Sequence, residues 1–216
     1  MERPRLLYFA DTMCSWCYGF APEMAEVLEA VGDRAELILF SGGLRPFQKE
    51  PMPPDLREKL RGAYERIGSI TGRTFAPAWF TRPDFVYDSE PASRAVVTMR
   101  HLAPGSEYGY MSAIQKAFYA DGEDVTQGEV LARHALAFGV SEVDFLAAFA
   151  GEEMKNATLG DFRVAQQFGI DGFPTLVLHR NGEGGKDEFV LITQGYSKAA
   201  PVIERLEAGI AGAPAA

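Results

Sequence analysis

Leu6-Leu7-Tyr8-Phe9-Ala10, then Asp11-Thr12-Met13, then Cys14-Ser15-Trp16-Cys17 is the stretch that decides the fold. An apolar run this short reads as a buried strand, and residues from about 14 to 31 carry helical periodicity. A Cys-x-x-Cys where a strand hands over to a helix sets its first thiol at the helix N-terminus, where unpaired amides and the dipole favour a thiolate. The second thiol, one turn further on, can resolve what the first forms. Far along the chain, Phe173-Pro174-Thr175 opens another apolar run, Thr175-Leu176-Val177-Leu178. A proline after a bulky residue in a turn is a candidate cis peptide, and hence a candidate second wall. The two pieces together predict a thiol redox site.

Working outward, the first segment reads strand 5–10, helix 14–31 and strand Leu37-Ile38-Leu39-Phe40, closed by Gly42-Gly43. This is a βαβ unit. The last segment reads strand 175–179, a glycine-rich turn over 181–185, strand 188–193 and a helix from Ser197 to Ile210, a ββα unit with a hairpin signal. Residues 46–168 show helical periodicity, with helices expected near 54–71, 89–103, 107–120, 126–138, 141–150 and 157–168. Thr126 with Glu129 makes a capping box, Ser141 with Asp144 resembles one, and Gly139 is a stop signal. Gly151-Glu152-Glu153 reads as a solvated turn, and the tail over 211–216 as frayed. The organisation is therefore α/β, with residues 1–45 plus 169–216 as one domain and 46–168 as an all-helical insertion.

The bulk properties narrow the function classes. The 216 residues carry a net charge of −9 and are 47% hydrophobic, which fits a soluble globule and disfavours nucleic acid as a partner. No stretch is long and apolar enough to span a bilayer. The apolar run after Met1-Glu2-Arg3-Pro4-Arg5 is too short for a secretory signal, so the expected address is cytoplasmic. Both cysteines of the chain lie in the motif, which leaves none for a structural disulfide elsewhere. In a reducing compartment such a pair is catalytic or metal-binding more often than a staple. Zinc needs two further ligands, and His101, His134 and His179 stand at no ligand-pair spacing. An iron–sulfur cluster needs four thiolates. No metal or organic cofactor is expected.

The order βαβ, helices, ββα is the layout of a thioredoxin fold with a helical insertion, and the chain resembles the DsbA-like branch of that superfamily. More narrowly it is similar to the cytosolic, FrnE-like predicted disulfide isomerases. The resemblance is carried by the stretch from Asp11 to Phe20, by Gly42-Gly43-Leu44, by Gln115-Lys116-Ala117-Phe118-Tyr119 and by Gly172-Phe173-Pro174-Thr175. It implies a thiol–disulfide oxidoreductase or isomerase acting on protein or small-molecule disulfides and thiols, with glutathione or a thioredoxin-type protein as a possible reductant. It also implies that Phe173, Pro174 and Thr175 offer backbone to an extended substrate beside the thiol.

The residues themselves assign Cys14 as nucleophile and Cys17 as resolving thiol. Ser15-Trp16 carries no cation, unlike the Pro-His pair of periplasmic DsbA proteins, so the thiolate receives less support. A potential of about −200 to −270 mV follows, against about −120 mV for DsbA. Trp16 is either a substrate-contacting aromatic or a cover for the motif, and Asp11 either caps the turn or assists proton transfer. Pro22 is expected to kink the first helix. Trp79, Phe80, Phe85, Phe118 and Tyr119 read as insertion core ahead of substrate groove, His134 as structural and His179 as exposed. Two other functions compete. One is a glutathione-dependent transferase or isomerase of the kappa-class or 2-hydroxychromene-2-carboxylate isomerase type, opposed by Cys14 where those enzymes carry serine and by Ser197-Lys198 in place of their Asp-Arg pair. The other is a non-catalytic client-binding module.

Overall fold

The structure, a computed structural model, describes residues 3–212. Met1 and Glu2 of the N-terminal reading, and 213–216 of the tail expected to fray, lie outside these. The described residues form four strands and eight α-helices: β1 (Arg5–Ala10), α1 (Ser15–Val31), β2 (Glu36–Ser41), α2 (Pro54–Thr71), α3 (Glu90–Leu102), α4 (Glu107–Tyr119), α5 (Gly128–Ala135), α6 (Glu142–Ala150), α7 (Glu152–Gln167), β3 (Thr175–Asn181), β4 (Asp187–Gln194) and α8 (Ala199–Ile210). This is the thioredoxin fold with its helical insertion.

One sheet runs in the order β2-β1-β3-β4. β1 pairs parallel with β2 and antiparallel with β3, and β3 pairs antiparallel with β4. Strand side chains alternate between faces, and the cores follow that alternation. Leu6, Tyr8, Leu39, Leu176 and Leu178 join the large core with Cys17, Phe20, Met24 and Val27 of α1 and Val202 and Leu206 of α8. Leu7, Phe9 and Val177 point the other way, onto Ala165 of α7, with Phe40 and Phe173 packed beside them. A bulge opposite Leu176/Val177 breaks the alternation in β4, which is why successive residues Ile192 and Thr193 are both buried.

The insertion continues the large core rather than making its own. Tyr18 of α1 stacks on Tyr119 of α4 at 5.0 Å and meets Phe75 edge-on at 5.1 Å. Trp79, Phe85, Phe118 and Tyr119 are buried, as expected of core residues. Gly19 lets α1 approach α2 closely, since a Cβ there would stand 2.9 Å from the Thr71 methyl group. On the far side, the Arg100 guanidinium of α3 forms two hydrogen bonds to the Asp161 carboxylate of α7, at 2.9 and 3.1 Å. It also donates to the Leu39 carbonyl of β2.

Three local expectations are corrected. Thr126 caps no helix: its amide and hydroxyl both bond Asp124 Oδ1 in an Asx-type turn, and α5 begins after Gln127 without a side-chain cap. α7 starts at Glu152, five residues before the expected position, because Glu152 and Glu153 occupy its first turn, where the dipole favours acid. His179 is half-buried within β3 rather than exposed at its end. Its ring stacks on Phe189 at 4.6 Å and its Nε2 lies 2.7 Å from Asp187 Oδ1. Ser141 does cap α6, accepting from the Asp144 amide at 3.1 Å. Gly139 adopts the left-handed conformation that ends the turn after α5. α1 runs through Pro22 as one continuous helix.

Candidate functional site

β1 delivers the chain to the turn Asp11-Thr12-Met13, and α1 begins at Ser15 with Cys14 as its N-cap. The Cys14 backbone is extended, with φ −90° and ψ 118°, and its carbonyl accepts the first helical bond from the Tyr18 amide. Cys14 is 5% exposed and Cys17, one turn inward, is fully buried, both as free thiols. Burial is the main cause that pushes the Cys17 thiol well above the ordinary thiol range, and the neighbouring Cys14 adds to it, while a hydrogen bond with the Asp11 backbone pulls the other way. The sequence-predicted Phe173-Pro174-Thr175 stands directly opposite. The Phe173–Pro174 peptide is cis, and the Cys14 thiol donates to the Phe173 carbonyl at 3.6 Å. Thr175 is buried, its hydroxyl donating to the Gly172 carbonyl at 2.8 Å. Pro174 accepts from the Gly195 amide at 2.7 Å.

The Phe173 ring depends on a residue whose role was not read from the sequence. A Cβ at Gly42 would stand 2.2 Å from the ring, so only glycine leaves that space free. Gly43, at φ 71°, gives similar room to Phe162. Around the thiol opening, Ser15 and Trp16 are partly exposed, and the indole packs on Tyr196 at 5.8 Å. Beyond Gly43, the loop after β2 exposes Leu44 and Phe47; Phe47 holds a positive φ of 62°.

Asp11 is fully buried and binds backbone: Oδ1 accepts from the Met13 amide at 2.8 Å and Oδ2 from the Leu44 amide at 2.7 Å. Burial raises its pKa, while these amides, with Ser89 and Ser93, pull the other way. Its geometry is that of a turn-forming tie between the β1–α1 turn and the loop after β2. From the insertion come further polar groups. Tyr87 and Tyr119 donate to the Met13 carbonyl at 2.5 and 2.6 Å, and Gln115 reaches the Asp11 carbonyl at 3.5 Å. Gln115 and Tyr119, four apart on α4, share a helix face, which the Gln-Lys-Ala-Phe-Tyr motif could have signalled. Tyr64 and Tyr87 stand in no local pattern, and nothing in the sequence links them to residue 13.

A family model, the DSBA-like thioredoxin domain, matches residues 5–195. The chain belongs to the DsbA-like thioredoxin family. The family is one of thiol–disulfide oxidoreductases, and in this chain the two buried free cysteines lie at the start of α1. Among solved structures it is similar to a putative protein disulfide isomerase from Nitrosomonas europaea, with 33% identity, a TM-score of 0.87, and 97% of this chain and 98% of that one covered. It is also similar to the cytosolic disulfide reductase DsbM from Pseudomonas aeruginosa, with 25% identity, a TM-score of 0.74, and 96% and 98% covered. A DsbA from Xylella fastidiosa, at 14% identity and a TM-score of 0.59 over 97% and 85%, shares the fold. No curated protein sequence matches. Within this DsbA-like chain, Ser197-Lys198 lies just before α8, and Lys198 Nζ donates to Glu23 of α1 at 2.7 Å, an internal tie. Among the described residues no helix is long and apolar enough to cross a membrane.

Proposed function

We propose that this chain is a cytoplasmic dithiol enzyme that reduces or isomerises disulfides, with Cys14 as nucleophile and Cys17 as resolving thiol. The observation that carries the reading is the contrast between the two thiols. Cys14 caps the helix, touches the surface and faces the Phe173 carbonyl at 3.6 Å, whereas Cys17 is sealed beneath it.

In the reaction, the Cys14 thiolate attacks one sulfur of a substrate disulfide. A Cys14–substrate disulfide forms, the substrate S–S bond breaks, and the departing thiolate takes up a proton. Cys17 then loses its proton and attacks the Cys14 sulfur, which releases the second substrate thiol and leaves Cys14–Cys17 oxidised. Burial keeps Cys17 protonated in the resting enzyme, so it does not compete for substrate. The enzyme disulfide is returned to the dithiol by two further thiols, for which glutathione or a thioredoxin-type protein has the right chemistry. The Phe173 backbone pairs with an extended substrate and is held there by Pro174 and Thr175, Trp16 contacts the substrate side chains, and Ser15 leaves the poise without a cation. The reducing direction is supported by similarity to a cytosolic disulfide reductase, and isomerisation by similarity to the Nitrosomonas protein.

The test is a redox titration of the purified chain against glutathione buffers, read by thiol labelling. A reversible two-electron transition between about −200 and −270 mV is expected. Failure to form the Cys14–Cys17 disulfide in the folded chain overturns the reading and favours a client-binding module. A Cys14→Ser chain that conjugates glutathione strongly favours the transferase alternative.

A further inference from the structure

We propose that Tyr87, Tyr119 and Tyr64 of the helical insertion are positioning residues for the Cys14 nucleophile, the first two neutralising the Met13 carbonyl beside it with their hydroxyls and Tyr64 supporting Tyr87. The inference rests on the reading of Cys14 as the attacking thiol.

Met13 precedes the N-cap, so its carbonyl lies outside the helical ladder, which begins with the Tyr18 amide on the Cys14 carbonyl. The residue is fully buried, and a buried acceptor requires a donor. It receives two. Tyr87 and Tyr119 approach at 2.5 and 2.6 Å with their hydroxyls 2.9 Å apart, and the Tyr64 hydroxyl stands 3.2 Å behind Tyr87. The three come from α2, from the segment before α3 and from the end of α4, so no local turn explains their meeting. Each phenol has one proton. With those of Tyr87 and Tyr119 on Met13, Tyr64 donates to Tyr87 and leaves its donation to Met13 intact.

A carbonyl oxygen is the negative end of a peptide dipole, and in a buried setting of low dielectric it acts strongly on a neighbouring charge. Met13 and Cys14 share that peptide unit. Two phenol protons on the oxygen cancel much of its field where Cys14 must become negative. The need is specific to this motif, because Ser15-Trp16 supplies no cation, while buried Asp11 and Cys17 are groups that add negative charge when ionised. The groups that act on Cys14 or on its near neighbours are Asp11 on the turn, Cys17 on α1, Tyr8 on β1, Tyr64 on α2 and Tyr119 on α4, with Arg45 acting on Tyr64. Burial holds the three phenols well above the ordinary phenol range, so they stay protonated donors; for Tyr64 and Tyr119 the Cys14 charge adds to this.

The experiment compares the wild-type chain with Tyr87→Phe/Tyr119→Phe, each single variant, Tyr64→Phe and, as control, Tyr110→Phe. Tyr110 is equally buried in the insertion and donates to the Leu131 carbonyl at 2.8 Å, away from the turn. Two readouts are taken: the pH profile of Cys14 alkylation, resolved by mass spectrometry, and the equilibrium constant with glutathione. The double variant is expected to alkylate about tenfold more slowly near neutral pH, with its half-maximal pH moved up. Its equilibrium is expected to shift about tenfold toward the disulfide, or about 30 mV more negative. Each single variant, which reads the same shift should the double fail to fold, and Tyr64→Phe are expected to give about threefold. Tyr110→Phe lowers the melting temperature and moves neither readout. Tyrosine variants at 87 and 119 that lose stability yet keep the wild-type profile and equilibrium overturn the proposal. A wild-type chain that forms no disulfide overturns both this and the redox reading, before any variant is made.

Discussion

The Cys14 turn is held from two sides that use different chemistry. From the sheet side it is held by backbone and apolar surface: the Cys14 amide on the Asp11 carbonyl at 3.1 Å, the Phe173 carbonyl at the thiol, and the Phe173 ring lodged against Gly42. From the insertion side it is held by buried polar side chains, Tyr87, Tyr119 and Gln115, that end on carbonyls 11 and 13. The sheet unit carries Cys14, Cys17 and the Phe173 carbonyl opposite, while side chains of the insertion bond the peptide groups that precede Cys14. A contact that closes on backbone oxygens under the turn behaves as a clamp.

The sharpest division between the two sides comes from the thiols. Cys14→Ala is expected to abolish disulfide turnover, by more than about 100-fold, because the one thiol left, Cys17, is fully buried. Cys17→Ala is expected to stop at the Cys14–substrate disulfide, visible as a mass adduct that persists until external thiol is added. Turnover that survives Cys14→Ala would break the assignment of the chemistry to the sheet unit.

A large structural effect without a redox effect is expected from Asp161→Ala. This carboxylate binds Arg100 twice and the Ser41 amide at 3.0 Å, so it joins α3 and α7 to the end of β2 and does not touch the turn. Its loss leaves a partly solvated guanidinium and a buried amide without their partner, for about 2–3 kcal/mol by chemical denaturation. The titration midpoint with glutathione should stay at the wild-type value. A shifted midpoint would mean that the insertion acts on Cys14 through general rigidity rather than through named hydroxyls.

Gly42→Ala probes the sheet side in the same way. Its methyl group would stand 2.2 Å from the Phe173 ring, so ring and loop must shift, at about 1–3 kcal/mol. Because that shift moves the carbonyl facing Cys14, turnover is expected to fall several-fold more than in Asp161→Ala at equal stability. Equal turnover in the two variants would remove Phe173 from substrate handling.

How much of this was legible in the sequence follows from how local each signal is. The Cys-x-x-Cys pair, its helix start and the Phe-Pro-Thr wall are contiguous words with known geometry, whereas the continuous apolar run Leu6–Ala10 announces a strand but not which side chains meet α1. α2 was expected over 54–71 and is found there, bounded by Pro54 and Gly72. Thr126 was misread because Asp124 competes for it, and the start of α7 because two glutamates suit a first turn as well as a solvated loop. The tyrosine cluster was illegible for a deeper reason. Tyr64, Tyr87 and Tyr119 come together only through tertiary packing, and a tyrosine written in a sequence does not say whether its ring or its hydroxyl matters. The division at 45/46 and 168/169 stays a proposal, and α7, which packs on Leu7, Phe9 and Val177, lies on the sheet although it falls inside the proposed insertion.

The smallest effect expected is at a polar tie that bonds neither the Cys14 turn nor the Phe173 carbonyl, although its Tyr196 packs on Trp16. Glu23 of α1 accepts from Tyr196 at 3.0 Å, Lys198 at 2.7 Å and the Ala199 amide at 2.8 Å, which docks the start of α8 on α1. Burial alone would raise its carboxyl, yet these donors outweigh it and hold the group below the usual carboxylate range. Hydrogen bonding to Glu23 in turn raises Lys198 above its ordinary range. A carboxylate lowered on folding contributes stability in full above its unfolded pKa of about 4.3, and that contribution fades as pH falls through the lower folded value. An amine raised on folding contributes in full below its unfolded pKa of about 10.4 and fades above it. The tie is therefore complete between about pH 5 and 10. Glu23→Gln is expected to lose about 1 kcal/mol at pH 7, with the gap to wild type narrowing as pH falls below the unfolded value and the redox midpoint unmoved. A gap that stays constant down to pH 3 would show that Glu23 works by shape and not by charge.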